Sequence, residues 1–157
     1  VKRKWHKRYT MMDELLASPT EPLPQAWRTS QLTKMYEGLH NLEQGDDPQP
    51  NDWRLVSDAI NLVETLVQEM KVCEDGSGLL MDAITAMAKA GRRSKEGHKL
   101  RLDGEGIVAV RSILSDYAEL IDVLPARVMV RCHRLTEKRL HEILDGKRGP
   151  HDIELMD

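Results

Sequence analysis

Between GDDPQP (45–50) and EDGSG (74–78), two stretches dense in helix breakers, the chain places Val56, Ile60, Val63, Val67 and Met70 at three- and four-residue spacing. Residues so spaced share one side of a helix. Beginning at Trp53, with Asn51 or Asp52 available as the cap, the stripe predicts about five turns of amphipathic helix. Such a helix is stable only when other elements cover its apolar face. The rest of the sequence must supply those partners, and the same period recurs along it.

Thr10 with Asp13 makes a capping-box pattern for a short helix over residues 11–17, closed by SPTEPLP. A second helix starts near Gln25, presents Leu32, Met35, Tyr36, Leu39 and Leu42 inward, and stops at Gly45. Beyond the long helix, Ser77 is placed to open another, with Leu80, Ile84 and Met87 inward and Gly91 as its left-handed end residue. RRSKEGHKLRLDGEG (92–106) then loses the helical period. His98, Leu100 and Leu102 alternate with Lys99 and Arg101, which predicts a short extended stretch tucking two leucines under the bundle. Asp103 caps a helix whose stripe is Ile107, Val110, Leu114, Tyr117 and Ile121. Pro125 suits the first turn of the last helix, where its missing N–H costs nothing, and Val128, Cys132, Leu135, Leu140, Ile143 and Leu144 give the apolar side.

The expected fold is all-α: a compact bundle of four main helices plus a short N-terminal helix, with a basic N-terminal arm. Residues 1–9 form the arm, 10–145 one helical domain and 146–157 a flexible C-terminal tail. A length of 157 residues suits one core, filled by aliphatic side chains and eight methionines around Trp27, Trp53 and Tyr117, because there is no Phe. Cys73 and Cys132 stand far apart without a C-x-x-C pair, so neither a zinc site nor a disulfide framework is indicated. A reducing cytoplasm fits that usage. No apolar run approaches the ~20 residues that cross a bilayer, and no signal-peptide pattern opens the chain. No membrane partner is expected.

The formal charge is only -3, but it is segregated. Glu37, Glu43, Asp46, Asp47, Asp52, Asp58, Glu64, Glu69, Glu74, Asp75 and Asp82 face only Arg54 and Lys71 between 37 and 82, whereas Lys89, Arg92, Arg93, Lys95, Lys99 and Arg101 face only Glu96 between 89 and 101. Segregated charge makes a directional field that steers partners. The densest cationic segment is KRKWHKRY (2–9), which the capping box at Thr10 leaves outside the first helix. Its Lys2, Arg3, Lys4, Lys7 and Arg8 can neutralise phosphates while Trp5 and Tyr9 stack on unpaired bases. Arg127, Arg131, Arg134 and Lys138 line one face of the last helix, and with Arg92, Arg93 and Lys95 they are candidates for a composite nucleic-acid patch. An opposite reading uses Asp46, Asp47, Asp58, Glu64 and Glu69 as a phosphate mimic toward a basic groove on another protein. Apolar residues left on the helix carrying Leu80 offer a third route, pairing into a homodimer.

Other chemistries lack their patterns. GRRSKEG is basic and glycine-bracketed but has neither the spacing nor the preceding strand of a phosphate loop. His133, Glu137 and His141 spread over two turns, too far for one metal ion to hold all three, and do not form H-E-x-x-H. No glycine-framed nucleophile stands out, and Asp46 and Asp47 fall in a turn that gives no raised pKa for acid–base work. The expectation is a non-enzymatic binding protein with no cofactor and no metal.

KRKWHKRY, NDWRLVSDAINLVETLV, AMAKAGRRSKEG and the closing GEGIVAVRSILSDYAELIDVLPARVMVRCHRLTEKRLHEIL together resemble small helical proteins encoded by phages and prophages of proteobacteria. Those proteins often open with a KRKYRPK-like segment. Trp5 stands here where a Tyr is usual, and His6, Lys7 and Arg8 replace the Arg-Pro that often follows. The resemblance covers roughly residues 2–144 and implies a phage or prophage accessory protein with a binding role in a bacterial cytoplasm, its partner nucleic acid or a host or phage protein. The aromatic and basic residues of the arm make the expectation a protein that binds nucleic acid or a nucleoprotein complex and regulates transcription or replication. The alternative it leaves open is an inhibitor of a host protein, such as a CRISPR or restriction effector.

Overall fold

A computed structural model describes residues 8–146. Six helices follow one another: α1 (Met11–Leu16), α2 (Gln25–Gln44), α3 (Pro50–Glu64), α4 (Leu80–Lys95), α5 (Gly104–Val123) and α6 (Ala126–Leu144). A π turn, Thr65–Glu69, continues α3 without a break. No strand occurs among the described residues, so the chain is an all-α bundle, with five long helices where four are expected.

The stripe from Val56 to Met70 makes α3 the hub. Val56, Ile60 and Leu66 have no exposed surface, and α2, α4, α5 and α6 all pack against α3 or its π turn. Leu42, Met87, Val110, Leu114, Ile121 and Met129 close over it. α4 and α5 approach closely because the residues between them are small. A Cβ placed on Gly106 would lie 2.8 Å from that of Ala86, and Ala83, Ala90 and Ala109 are buried. Trp53 crosses from α3 to α4 and donates its indole N–H to the Met87 carbonyl at 2.9 Å. Leu100 and Leu102 are buried as the alternation predicts, and Leu102 N–H bonds the Leu42 carbonyl.

Several boundaries differ from the expected ones, each for a local reason. α3 starts with Pro50 in its first turn and Gln49 as cap, while Asp52 sits three residues on and accepts the Gln49 N–H at 2.8 Å. The Asp52 carboxylate also accepts from Asn41, tying α2 to α3. α4 opens at Leu80 because Asp75 and Ser77 reach forward to the Leu80 and Leu79 N–H groups. Gly91 does not end α4: the helix runs on to Lys95, and Gly97, at φ 91°, makes the left-handed turn. Pro125 is the cap of α6 rather than a member of its first turn. Tyr36 and Leu144 face outward; Tyr36 lies next to the inward Met35, and Leu144 is the last residue of its helix.

Candidate functional site

The basic residues fall into three places that the structure treats differently. The first is the end of α4. Lys89, Arg92, Arg93, Lys95, His98 and Lys99 are all exposed there. The turn that holds them is fixed by His98 N–H to the Arg93 carbonyl and Gly97 N–H to the Ser94 carbonyl, at 3.0 and 3.1 Å. Arg93 donates to the Arg101 carbonyl, and Arg101 donates to the Gly45 carbonyl at 2.5 Å, so the corner is braced against the end of α2. Cations gathered at a helix C-terminus also meet the negative pole of its dipole. The same bracing puts the acidic turn at Asp46 and Asp47, both exposed, beside the basic stretch.

The second place is the face of α6. Arg134 pairs with Glu14 at 2.8 Å, Arg127 donates to the Leu15 carbonyl at 2.9 Å, and the Arg127 N–H bonds the Ser18 carbonyl. These bonds seat α1 and the following proline-rich segment on α6, leaving Arg131 and Lys138 as the exposed cations of the four. α4 and α6 each pack on α3 but do not form a packed pair with each other.

The third place is the arm. Lys2, Arg3, Lys4, Trp5 and Lys7 lie outside the described residues, as does the tail from residue 147. Where the described chain begins, it is fastened: Arg8 N–H donates to Glu137 at 3.0 Å, and the Tyr9 ring meets His133 edge-on at 5.4 Å. Trp27 meets His133 from another side at 6.1 Å. Enclosed by these rings, His133 is 5% exposed, and its Nε2 has no hydrogen-bond partner among the described residues. Burial, with the nearby Arg8 charge, drives its pKa down to about 3, so the ring is neutral at ordinary pH. Among the described residues, no group of three His, Cys, Asp or Glu side chains is arranged to hold a metal ion.

Of the acidic candidates, Asp46, Asp47 and Asp58 are exposed, Glu69 is half-buried, and Glu64 is 1% exposed. The Asp58 carboxyl is nonetheless raised above its usual range, because its surroundings are crowded enough to desolvate it against the pull of Arg8 and Arg54. Glu64 belongs to a polar seam between α3 and α6 that periodicity does not reveal. Arg139, 4% exposed, donates to the Asn61 carbonyl at 3.2 Å and pairs with Glu64 at 3.4 Å and Glu69 at 3.9 Å. Thr65 and Thr136 share a hydrogen bond of 2.6 Å, and Cys132 donates to the Leu62 carbonyl while burial pushes its thiol up to about 12. The π turn explains how both glutamates reach one arginine. Side chains five apart on a regular α-helix point ~140° apart, and the wider i→i+5 turn swings them toward one side. The only sequence trace of this seam is polar residues interrupting apolar stripes, as Asn61, Glu64 and Thr65 do.

Compared with known protein families, curated proteins and solved structures, the chain matches none of them.

Proposed function

We propose that the chain is a non-enzymatic binding protein that engages nucleic acid or a nucleoprotein complex through the corner at the end of α4, with the arm at residues 2–8 adding phosphate contacts. The observation that carries this reading is the corner itself: exposed Lys89, Arg92, Arg93 and Lys95 on the last turns of α4, with His98 and Lys99 just past the turn at Gly97, opposed within the segment only by Glu96. A braced backbone has little freedom left to lose when its cations meet phosphates, and the contacts release the phosphates' counterions. The resemblance to phage and prophage proteins supports an accessory role in regulating transcription or replication.

The test is titration of labelled single- and double-stranded DNA at 50 and 200 mM salt, comparing the full chain with a Lys89→Gln, Lys95→Gln, Lys99→Gln variant. The log–log salt slope is expected to fall by up to about 3 in the variant, one phosphate contact for each lysine lost. Unchanged affinity in the variant, or no binding by the parent chain, sinks the reading. The second reading, inhibition of a host protein such as a defence effector, draws on exposed Asp46, Asp47 and Asp58. Reversing Asp46 and Asp47 to lysine would then abolish capture of one specific basic protein from a host lysate and leave DNA binding intact.

A further inference from the structure

Where α3 and its π turn meet the following loop and the last turns of α5, a cavity of ≈ 530 Å³ opens, a volume in the range of small-molecule sites. Part of its lining is apolar, from Val63 and Val67 on one side and Leu120 and Val123 on the other. Five carboxylates line it as well: Glu74 and Asp75 from the loop, and Asp116, Glu119 and Asp122 from α5. No lysine or arginine is among the described residues that line it. Lys71, two residues before Cys73, is exposed and takes no part in the lining.

The five carboxylates are not equally engaged. Asp122 pairs with Arg28 from α2, and Asp75 accepts the Leu80 N–H at 3.1 Å where α4 begins. Glu74, Asp116 and Glu119 have no cationic partner among the described residues. Asp116 registers that imbalance: burial, with Glu119 and Asp75 beside it, raises its carboxyl above the usual range, and burial together with Asp116 raises the Cys73 thiol. Uncompensated negative charge at an apolar wall is relieved by a cation that carries apolar surface of its own. Spacing narrows the choice. Asp116, Glu119 and Asp122 follow one another at three-residue intervals along α5, a rise of ~4.5 Å each. Ammonium groups joined by three or four carbons in an extended chain stand ~5–6 Å apart, from ordinary C–C and C–N bond lengths.

We propose that this cavity binds a linear aliphatic polyamine. Its successive ammonium groups meet the carboxylates of α5 and Glu74, and its methylene segments lie against Val63, Val67 and Leu120, out of water. Neither simpler ligand satisfies both parts of the lining. A bare metal ion would leave the apolar wall uncovered, and among the described residues no three acids, histidines or cysteines are arranged to hold one. A neutral apolar ligand would leave Glu74, Asp116 and Glu119 without a partner and take water from them. The site is independent of what the α4 corner binds.

The experiment is isothermal titration calorimetry of the full chain with spermidine at 50 mM salt and without nucleic acid, beside two variants: Glu74→Gln with Glu119→Gln at the cavity, and Asp46→Asn with Asp47→Asn at the turn after α2. All four positions are exposed, and a thermal melt like the parent's confirms that each variant is folded. The parent is expected to bind spermidine saturably, the cavity variant about tenfold or more weakly, and the turn variant as the parent does. Butylamine, with a single ammonium group, is expected to bind the parent about tenfold or more weakly than spermidine. Magnesium chloride equimolar with spermidine should leave the binding in place, because the ion covers none of the apolar wall. Absence of saturable binding, equal losses in the two variants, displacement by equimolar magnesium, or tighter binding of trilysine than of spermidine each overturns the proposal.

Discussion

The end of α4 and the face of α6 are both basic helical segments, and they do opposite things. On α6, Arg127 and Arg134 hold α1 in place and Arg139 is buried against Glu64 and Glu69. On α4, the cations project from a braced turn into solvent. The difference lies in what each segment faces. α6 is overlaid by α1 and backed by α3, whereas α4 meets the core through Ala83, Met87 and Ala90 and leaves its end open. A row of positive charges in a sequence therefore says little about availability until its neighbours are placed.

The largest effect that sharpens this contrast is expected from Arg139→Ala. Removing it leaves Glu64 buried without its ion-pair partner, and urea unfolding should show a loss of about 3–5 kcal/mol. Arg139→Met combined with Glu64→Leu should recover most of that loss, since replacing both charges removes the uncompensated one. Retained stability in the single variant would mean that the seam is open to water and that α6 is not the structural partner of the pair.

Next in size is a pH effect at His133. Its folded pKa, about 3, lies below the unfolded value of 6.5, so the stability it contributes is complete above pH 6.5 and is lost as pH falls toward 3. The loss attributable to this one group is about 3 kcal/mol by pH 4. Chemical denaturation of the parent and a His133→Leu variant at pH 7 and pH 4 checks it: the variant should lose markedly less than the parent. Equal losses would remove His133 from the account and weaken the view that Tyr9 and Trp27 seal it.

Arg134→Ala should have a smaller effect, about 1 kcal/mol, because its pair with Glu14 is partly exposed. Hydrogen exchange should show the loss concentrated in α1 and the segment to Glu21, which α6 fastens through Arg127 and Ala126. The smallest stability change belongs to the lysine-to-glutamine triple at the α4 corner, within about 0.5 kcal/mol, with the DNA salt slope moving instead. A corner variant that unfolds more readily than Arg134→Ala would break the comparison outright.

Much of the bundle was legible because its stripes are strongly periodic. Val56, Ile60, Leu114 and Ile121 are all buried as their spacing predicts. Boundaries were less legible, since capping competes among neighbouring residues: Gln49 with Asp52 prevails over Asn51, and Gly97 over Gly91. The candidate sites divided along the same line. Exposure of Arg92, Arg93 and Lys95 follows from charge at a helix end, a local property. The engagement of Arg127 and Arg134 depends on α1, more than a hundred residues earlier in the chain, and the burial of Glu64 depends on Arg139, 75 residues away. No spacing rule carries that information.

The π turn gives the third helix an unusual freedom in length. A π turn holds one more residue than an α turn, so deleting Gln68, which is exposed, would let the i→i+5 bonds close as i→i+4 bonds without opening the helix. Glu69 would then stand four residues after Glu64 on a regular helix, so both would still share one face and the chain beyond would keep its direction. Glu69 would keep its place beside Arg139. A single-residue deletion at this place is thus absorbed without turning the chain beyond it, which a regular α-helix does not allow.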